Sequence, residues 1–233
     1  MIEVHPGKAR FKVDTGWLVS RPSFQFGAYS DPSNSGFGVL RVFNDDFVAP
    51  GKGFGAHPHS DMEIVSVILK GAIRHEDNLG NIEITKAGEV QRITAGSGVI
   101  HAEYNPSETE ELNFLQMWFM PTERGLAPSY ETSRYDPAKL VNALYPVVTP
   151  EGAEDAASIH QDMTIYLGRL DAGRELEFRQ EAGRRIYLFV IEGSLSANGA
   201  ELGERDTARI TEVTGLKLAA SDEEAFVMLI DLP

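Results

Sequence analysis

Cysteine is absent from this 233-residue chain, which excludes disulfides, thiolate metal ligands and thiol nucleophiles. Long apolar runs are missing too, and nothing approaches the ~18–20 residues that a membrane-spanning helix needs. The opening stretch, Met1 to Phe11, is polar and mixed in charge, so it does not match a secretory signal. These absences fit a cytoplasmic protein. Basic residues are scarce, 21 Lys and Arg against 35 Asp and Glu. A net charge of −14 offers no footprint for nucleic-acid phosphates; its ordinary purpose is solubility. Helical periodicity is weak throughout. The best helix candidate is Pro137 to Leu144, with Asp136 as cap and Pro137 in the first helical position.

What the chain does contain is short strand patterns. Ile64 to Leu69, Leu112 to Met120, Ile186 to Ile191 and Phe226 to Leu229 are rich in β-branched and aromatic residues. Turn signals such as Asn78-Leu79-Gly80-Asn81 and Asn198-Gly199 separate such runs. Many short strands with frequent glycine turns predict a sandwich or barrel architecture. Pro121, Pro128, Pro137, Pro146 and Pro150 punctuate a segment poor in strand patterns, which reads as a connection between two β units. The expected division is therefore 1–130, a connection over 131–150, and 151–233. A weak internal repeat supports it. Sliding the halves so that Gly71 falls on Gly193 aligns Lys70-Gly71 with Glu192-Gly193. The same shift sets His57 on Arg179, His59 on Glu181 and Glu63 on Arg185. The second half keeps the strand and turn signals and loses the candidate ligands.

Those ligands are two pairs. In His57-Pro58-His59 the imidazoles are two residues apart, so a strand points both to one face. His101-Ala102-Glu103 repeats the spacing with an imidazole and a carboxylate. Gly51, Gly53 and Gly55 precede the first pair, and Gly96 and Gly98 the second; they permit close backbone approach and tight corners. Imidazole suits Fe, Ni, Cu and Zn, and a carboxylate extends the set toward Mn. Glu63 competes with Glu103 as the oxygen ligand, because an unbroken strand from His59 puts it on the same face. It equally suits a role behind the ligands or as a base. His75 lies in a polar run before a turn and reads as an ordinary polar residue; His5 and His160 read as surface or structural histidines.

At these positions the chain resembles a cupin. Gly51, His57, His59, Glu63 and Gly71 nearly match the first cupin motif, with one extra residue before the last glycine. Gly88, Gly96, His101 and Asn105 resemble the second, although Thr94 replaces the usual proline and the gap to His101 is longer. Gly36 to Asp46, Gly53 to His59 and Gly98 to Asn105 are similar to one branch, the pirin family, including its bacterial members described as quercetin 2,3-dioxygenases. The resemblance implies an all-β bicupin, two jelly-roll-like barrels in tandem with little helix. It implies one divalent metal in the N-terminal barrel, Fe(II) first, with Mn, Ni, Co, Cu and Zn also compatible. The implied ligands are His57, His59, His101 and Glu103, which leaves Glu63 nearby, either behind them or packed structurally. The implied activity is oxygen-dependent cleavage of a flavonol with release of carbon monoxide, with Glu103 accepting the 3-hydroxyl proton. Phe37, Phe54 and Trp118 are aromatic candidates for a flat substrate slot, although each reads first as a core residue. The rival function within the family is a metal- and redox-dependent regulator that binds a protein partner.

Overall fold

The computed structural model describes residues 1–233, and strands dominate it. The expected helix shrinks to a single 3-10 turn, Pro137–Leu140, which Asp136 caps by accepting the Ala138 amide at 2.9 Å. No helix is long and apolar enough to cross a membrane.

The chain divides into two compact units, one of 11–135 with 150–161, the other of 1–10, 136–149 and 162–233. This differs from the linear division that the sequence suggests, and particular contacts give the reason. The Pro150–Gln161 segment joins the first unit through the buried Arg92, whose Nε donates to the Ser158 carbonyl at 2.8 Å. Glu131 accepts from both the Ser158 hydroxyl and its amide. The first strand, Ile2–His5, pairs antiparallel with Thr207–Ile210 in the second unit. The supposed connection also holds strands, Ser129–Arg134 and Tyr145–Thr149.

The first unit has a seven-stranded and a four-stranded sheet, the double-sheet arrangement of a jelly roll. In the larger sheet Leu112–Phe119 lies between Leu40–Val48 and Glu63–Lys70. Register sets its inner face. Asn44 is opposite Gln116, Gln116 opposite Ser66, and Ser66 opposite Gln91. A polar row therefore crosses the sheet. Apolar clusters lie apart from it, Val48, Ile68, Ile73, Leu112 and Phe114 in one, and Ile64, Ile93, Ala95 and Val99 in the other.

The second unit repeats this pattern with different chemistry. Its Arg185–Glu192 strand corresponds to Glu63–Lys70, and both run into a left-handed glycine, Gly193 at φ 74° and Gly71 at φ 75°. The row equivalent to Asn44, Gln116, Ser66 and Gln91 is Tyr166, Leu229, Leu188 and Ala208, by the same pairings. Where the first unit is polar, the second closes an apolar core.

Candidate metal centre

The Gly53–His59 strand pairs with Val99–Tyr104, setting His101 opposite His57 and Val99 opposite His59. Between His101 and Glu103 the register slips, a bulge of the kind that redirects side chains beside functional sites. Gly55 lies at this irregularity, and its carbonyl accepts the His57 ring Nδ1–H at 2.7 Å. The ligand atoms of His57, His59 and His101 lie within 4.8 Å of one another. His101 is 2% exposed, as is Glu103.

With neutral rings, the form that metal binding requires, the surrounding contacts fix one assignment of ring protons. With Nδ1–H of His57 given to Gly55, its Nε2 carries a lone pair. His101 Nδ1 lies 3.4 Å from His75 Nδ1, and His75 Nε2 lies 2.8 Å from Asp77 Oδ2. His75 Nε2–H donates to Asp77, so His75 Nδ1 accepts from His101 Nδ1–H. That leaves His101 Nε2 as a second lone pair, 3.1 Å from His57 Nε2. Two lone pairs at this separation repel unless a cation lies between them. Imidazole nitrogens sharing one ion at ~2.0–2.1 Å stand about 3 Å apart, so the donor set fits a metal. Burial first, then the neighbouring imidazoles, hold His59 down to about 4 and His101 down to about 3. Both rings are neutral, the form a metal requires.

Glu103 is fully buried, and burial pushes its carboxyl above the usual range. Gln91 and Gln116 each donate a side-chain N–H to it, the latter at 2.9 Å. The Tyr130 hydroxyl donates to Gln91 Oε1 at 3.1 Å and so orients that amide. Amides alone offset little of the cost of burying a carboxylate, and a cation beside it would supply the rest. Glu103 groups with His101 and His75, and it lines one cavity together with His57 and His59.

Of the two places open to Glu63, behind the ligands or packed structurally, its contacts match the second. The chain turns at Ser60–Met62, with Asp61 at φ 50°, and Glu63 opens a strand of the other sheet. The unbroken-strand premise fails there. Its Oε2 accepts from the Thr94 hydroxyl at 3.1 Å and the His160 amide at 3.2 Å, pinning the 150–161 segment. His75, read as an ordinary polar residue, is instead fully buried behind His101. Register was the missing signal, because His75 pairs with Glu103 and Asp77 with His101.

The cavity measures about 440 Å³, within the range of small-molecule sites. Phe54 and Trp118 line it, joined by Trp17 and Phe26, whereas Phe37 is not part of its wall. Trp118 stands edge-on to Phe26 at 5.3 Å and to His59 at 4.8 Å.

Comparison with known proteins agrees with this architecture. Residues 5–119 match the family model described as Pirin, and 146–232 match that of the quercetinase C-terminal cupin domain. A protein named quercetin 2,3-dioxygenase from Escherichia coli strain K12 is 39% identical over 100% of this chain and 99% of its own. The crystal structure of YhhW from Escherichia coli superposes with a TM-score of 0.95 at 39% identity, covering 100% of this chain and 98% of that one. The same bacterial pirin has been solved in complex with nickel(II), with a TM-score of 0.94, 38% identity and coverage of 100% and 99%. A quercetin 2,3-dioxygenase from Acinetobacter baumannii, at 20% identity and a TM-score of 0.77, covering 99% of this chain and 86% of that one, shares the fold. With its two cupin barrels and this match along its whole length, the chain belongs to the pirin family.

Proposed function

We propose that this protein is a metal-dependent dioxygenase that cleaves a flavonol such as quercetin, with His57, His59, His101 and Glu103 as the metal ligands. The observation that carries the reading is the convergence of three imidazoles, with His57 and His101 Nε2 3.1 Å apart, beside a buried carboxylate at the edge of an aromatic-walled cavity. A divalent ion held there, Fe(II) by first preference, would act as a Lewis acid toward an enolic oxygen and bring O2 chemistry to the site.

The remaining work falls to the protein. Phe26, Phe54 and Trp118 present flat apolar surface to a planar ring system. Glu103 is the buried carboxylate in the cavity wall, placed to accept the acidic 3-hydroxyl proton of a flavonol. Gln91 and Gln116 hold its oxygens while the proton transfers. In the overall reaction both atoms of O2 enter the ester-acid product, and the carbon bearing the 3-oxygen leaves as carbon monoxide. Names carried by relatives at 37–39% identity support the same reaction.

The test is turnover. Apoprotein reconstituted in turn with Fe(II), Mn(II), Ni(II), Co(II) and Cu(II) is mixed with quercetin, and the flavonol absorbance is followed with and without O2. Oxygen-dependent loss with carbon monoxide release is expected for at least one metal, and Glu103→Gln should slow it by about 100-fold or more. Lack of turnover with every metal would remove the dioxygenase reading.

A further inference from the structure

Three buried polar atoms on residues that line the cavity have no hydrogen-bond partner in the protein: Asn44 Oδ1, Asp46 Oδ1 and Trp118 Nε1. Such atoms are uncommon in folded proteins and call for an explanation. Asn44 and Asp46 are each 2% exposed. They share the inner face of the Leu40–Val48 strand, with Gln116 opposite Asn44 and Phe114 opposite Asp46. None of the three is a ligand in the proposed centre, so the metal leaves them unexplained.

The Ser20 hydroxyl hydrogen-bonds to the Asp46 carboxyl. Burial above all, then repulsion from Asp45 and Glu103, pushes that carboxyl up to about 7. A buried carboxyl in this position gains from any further hydrogen bond it accepts. Asn44 Oδ1 is likewise an acceptor, whereas the Trp118 indole N–H can only donate.

We propose that Asp46 and Asn44 determine specificity by accepting hydrogen bonds from ring hydroxyls of the ligand, while Trp118 Nε1–H donates to a ligand oxygen. The inference rests on the reading of this cavity as the site of an oxygenated aromatic. It adds that the cavity takes a polyhydroxylated ring system in preference to a bare one. Sites built to hydrogen-bond a hydroxyl reject the analogue that lacks it, because their own buried groups are then left unpaired.

The test is anaerobic binding to the nickel(II)-loaded protein, read from ligand absorbance, with quercetin and 3-hydroxyflavone as probes. These share the 3-hydroxyl and carbonyl and differ in ring hydroxyls. Wild type should bind quercetin at least about tenfold more tightly. In Asp46→Leu the ratio of the two affinities should fall toward one, and Asp46→Asn, which keeps an acceptor oxygen, should retain part of it. Nickel content and thermal melting establish that each variant is folded, and Asp46→Asn alone suffices if Asp46→Leu is not. Equal affinities in wild type, an undiminished ratio in the folded variants, or binding of neither probe would overturn the proposal. A hydroxyl preference without oxygen-dependent cleavage would remove the dioxygenase reading and leave this one standing. Cleavage without the preference would do the reverse.

Discussion

A metal-binding imidazole must present one nitrogen as a lone pair, and at His101 that condition is met from behind. Asp77 fixes the proton on His75 Nε2, His75 in turn fixes the proton on His101 Nδ1, and Nε2 is left free. Asp77 is itself held by the Leu79 and Asn81 amides at 2.9 and 3.0 Å. The Tyr130 ring stacks on His75 at 4.2 Å, and its hydroxyl serves the Glu103 arm through Gln91. Removing a group that orients a ligand typically weakens metal affinity ~10–100-fold. That loss is expected for His75→Gln and a smaller one for Asp77→Asn, measured by competition against a chelator of known affinity. His160→Ala serves as control, since that ring is far more exposed and sits beside Glu63 rather than His101. Equal affinities in wild type and His75→Gln would show that the chain behind His101 does not orient it.

Strands and their register decide what each barrel contains. The two H-x-H and H-x-E pairs were legible from spacing, because period-two alternation survives in any strand. The unbroken strand from His59 to Glu63 and the bland reading of His75 fail for one reason. Which strands are neighbours, and where one ends, depends on turns and pairings that a single stretch of sequence does not encode. The polar row of Asn44, Gln116, Ser66 and Gln91 was invisible in the same way, since its four members come from four strands and only their pairing aligns them. The repeat, by contrast, was legible at its glycines. Gly193 takes φ 74°, and a Cβ there would meet the Glu224 carbonyl oxygen at 2.1 Å. Gly173 has a similar φ of 68° with open space around it. A left-handed non-glycine residue costs about 1–3 kcal/mol, so Gly173→Ala should lower the melting temperature by a few degrees. Gly193→Ala adds a backbone clash and should lower it clearly further. Equal shifts in thermal melts would mean that the turn relaxes and that close packing does not fix this corner.

At the scale of the whole molecule, one fold is used twice with opposite interiors. The first unit carries a polar row, of which Asn44 and Gln116 line the cavity, and the second fills the equivalent row with Tyr166, Leu229, Leu188 and Ala208. The two-barrel architecture was readable from strand texture and the repeat. The exchange of segments was not, because Ile2–His5 finds its partner Thr207–Ile210 about 200 residues away, a separation that local pattern cannot register. The first strand and Ser129–Arg134 take corresponding sheet-edge positions, each beside the strand that pairs with the repeated central one. One metal site per chain is therefore expected, in the first unit alone. Equilibrium dialysis of the apoprotein against nickel(II), with metal counted by mass spectrometry, tests this most directly. One ion per chain is expected, lost in His57→Ala and in His101→Ala while both variants keep their fold. Undiminished binding in those variants, or a second ion of comparable affinity, would contradict it.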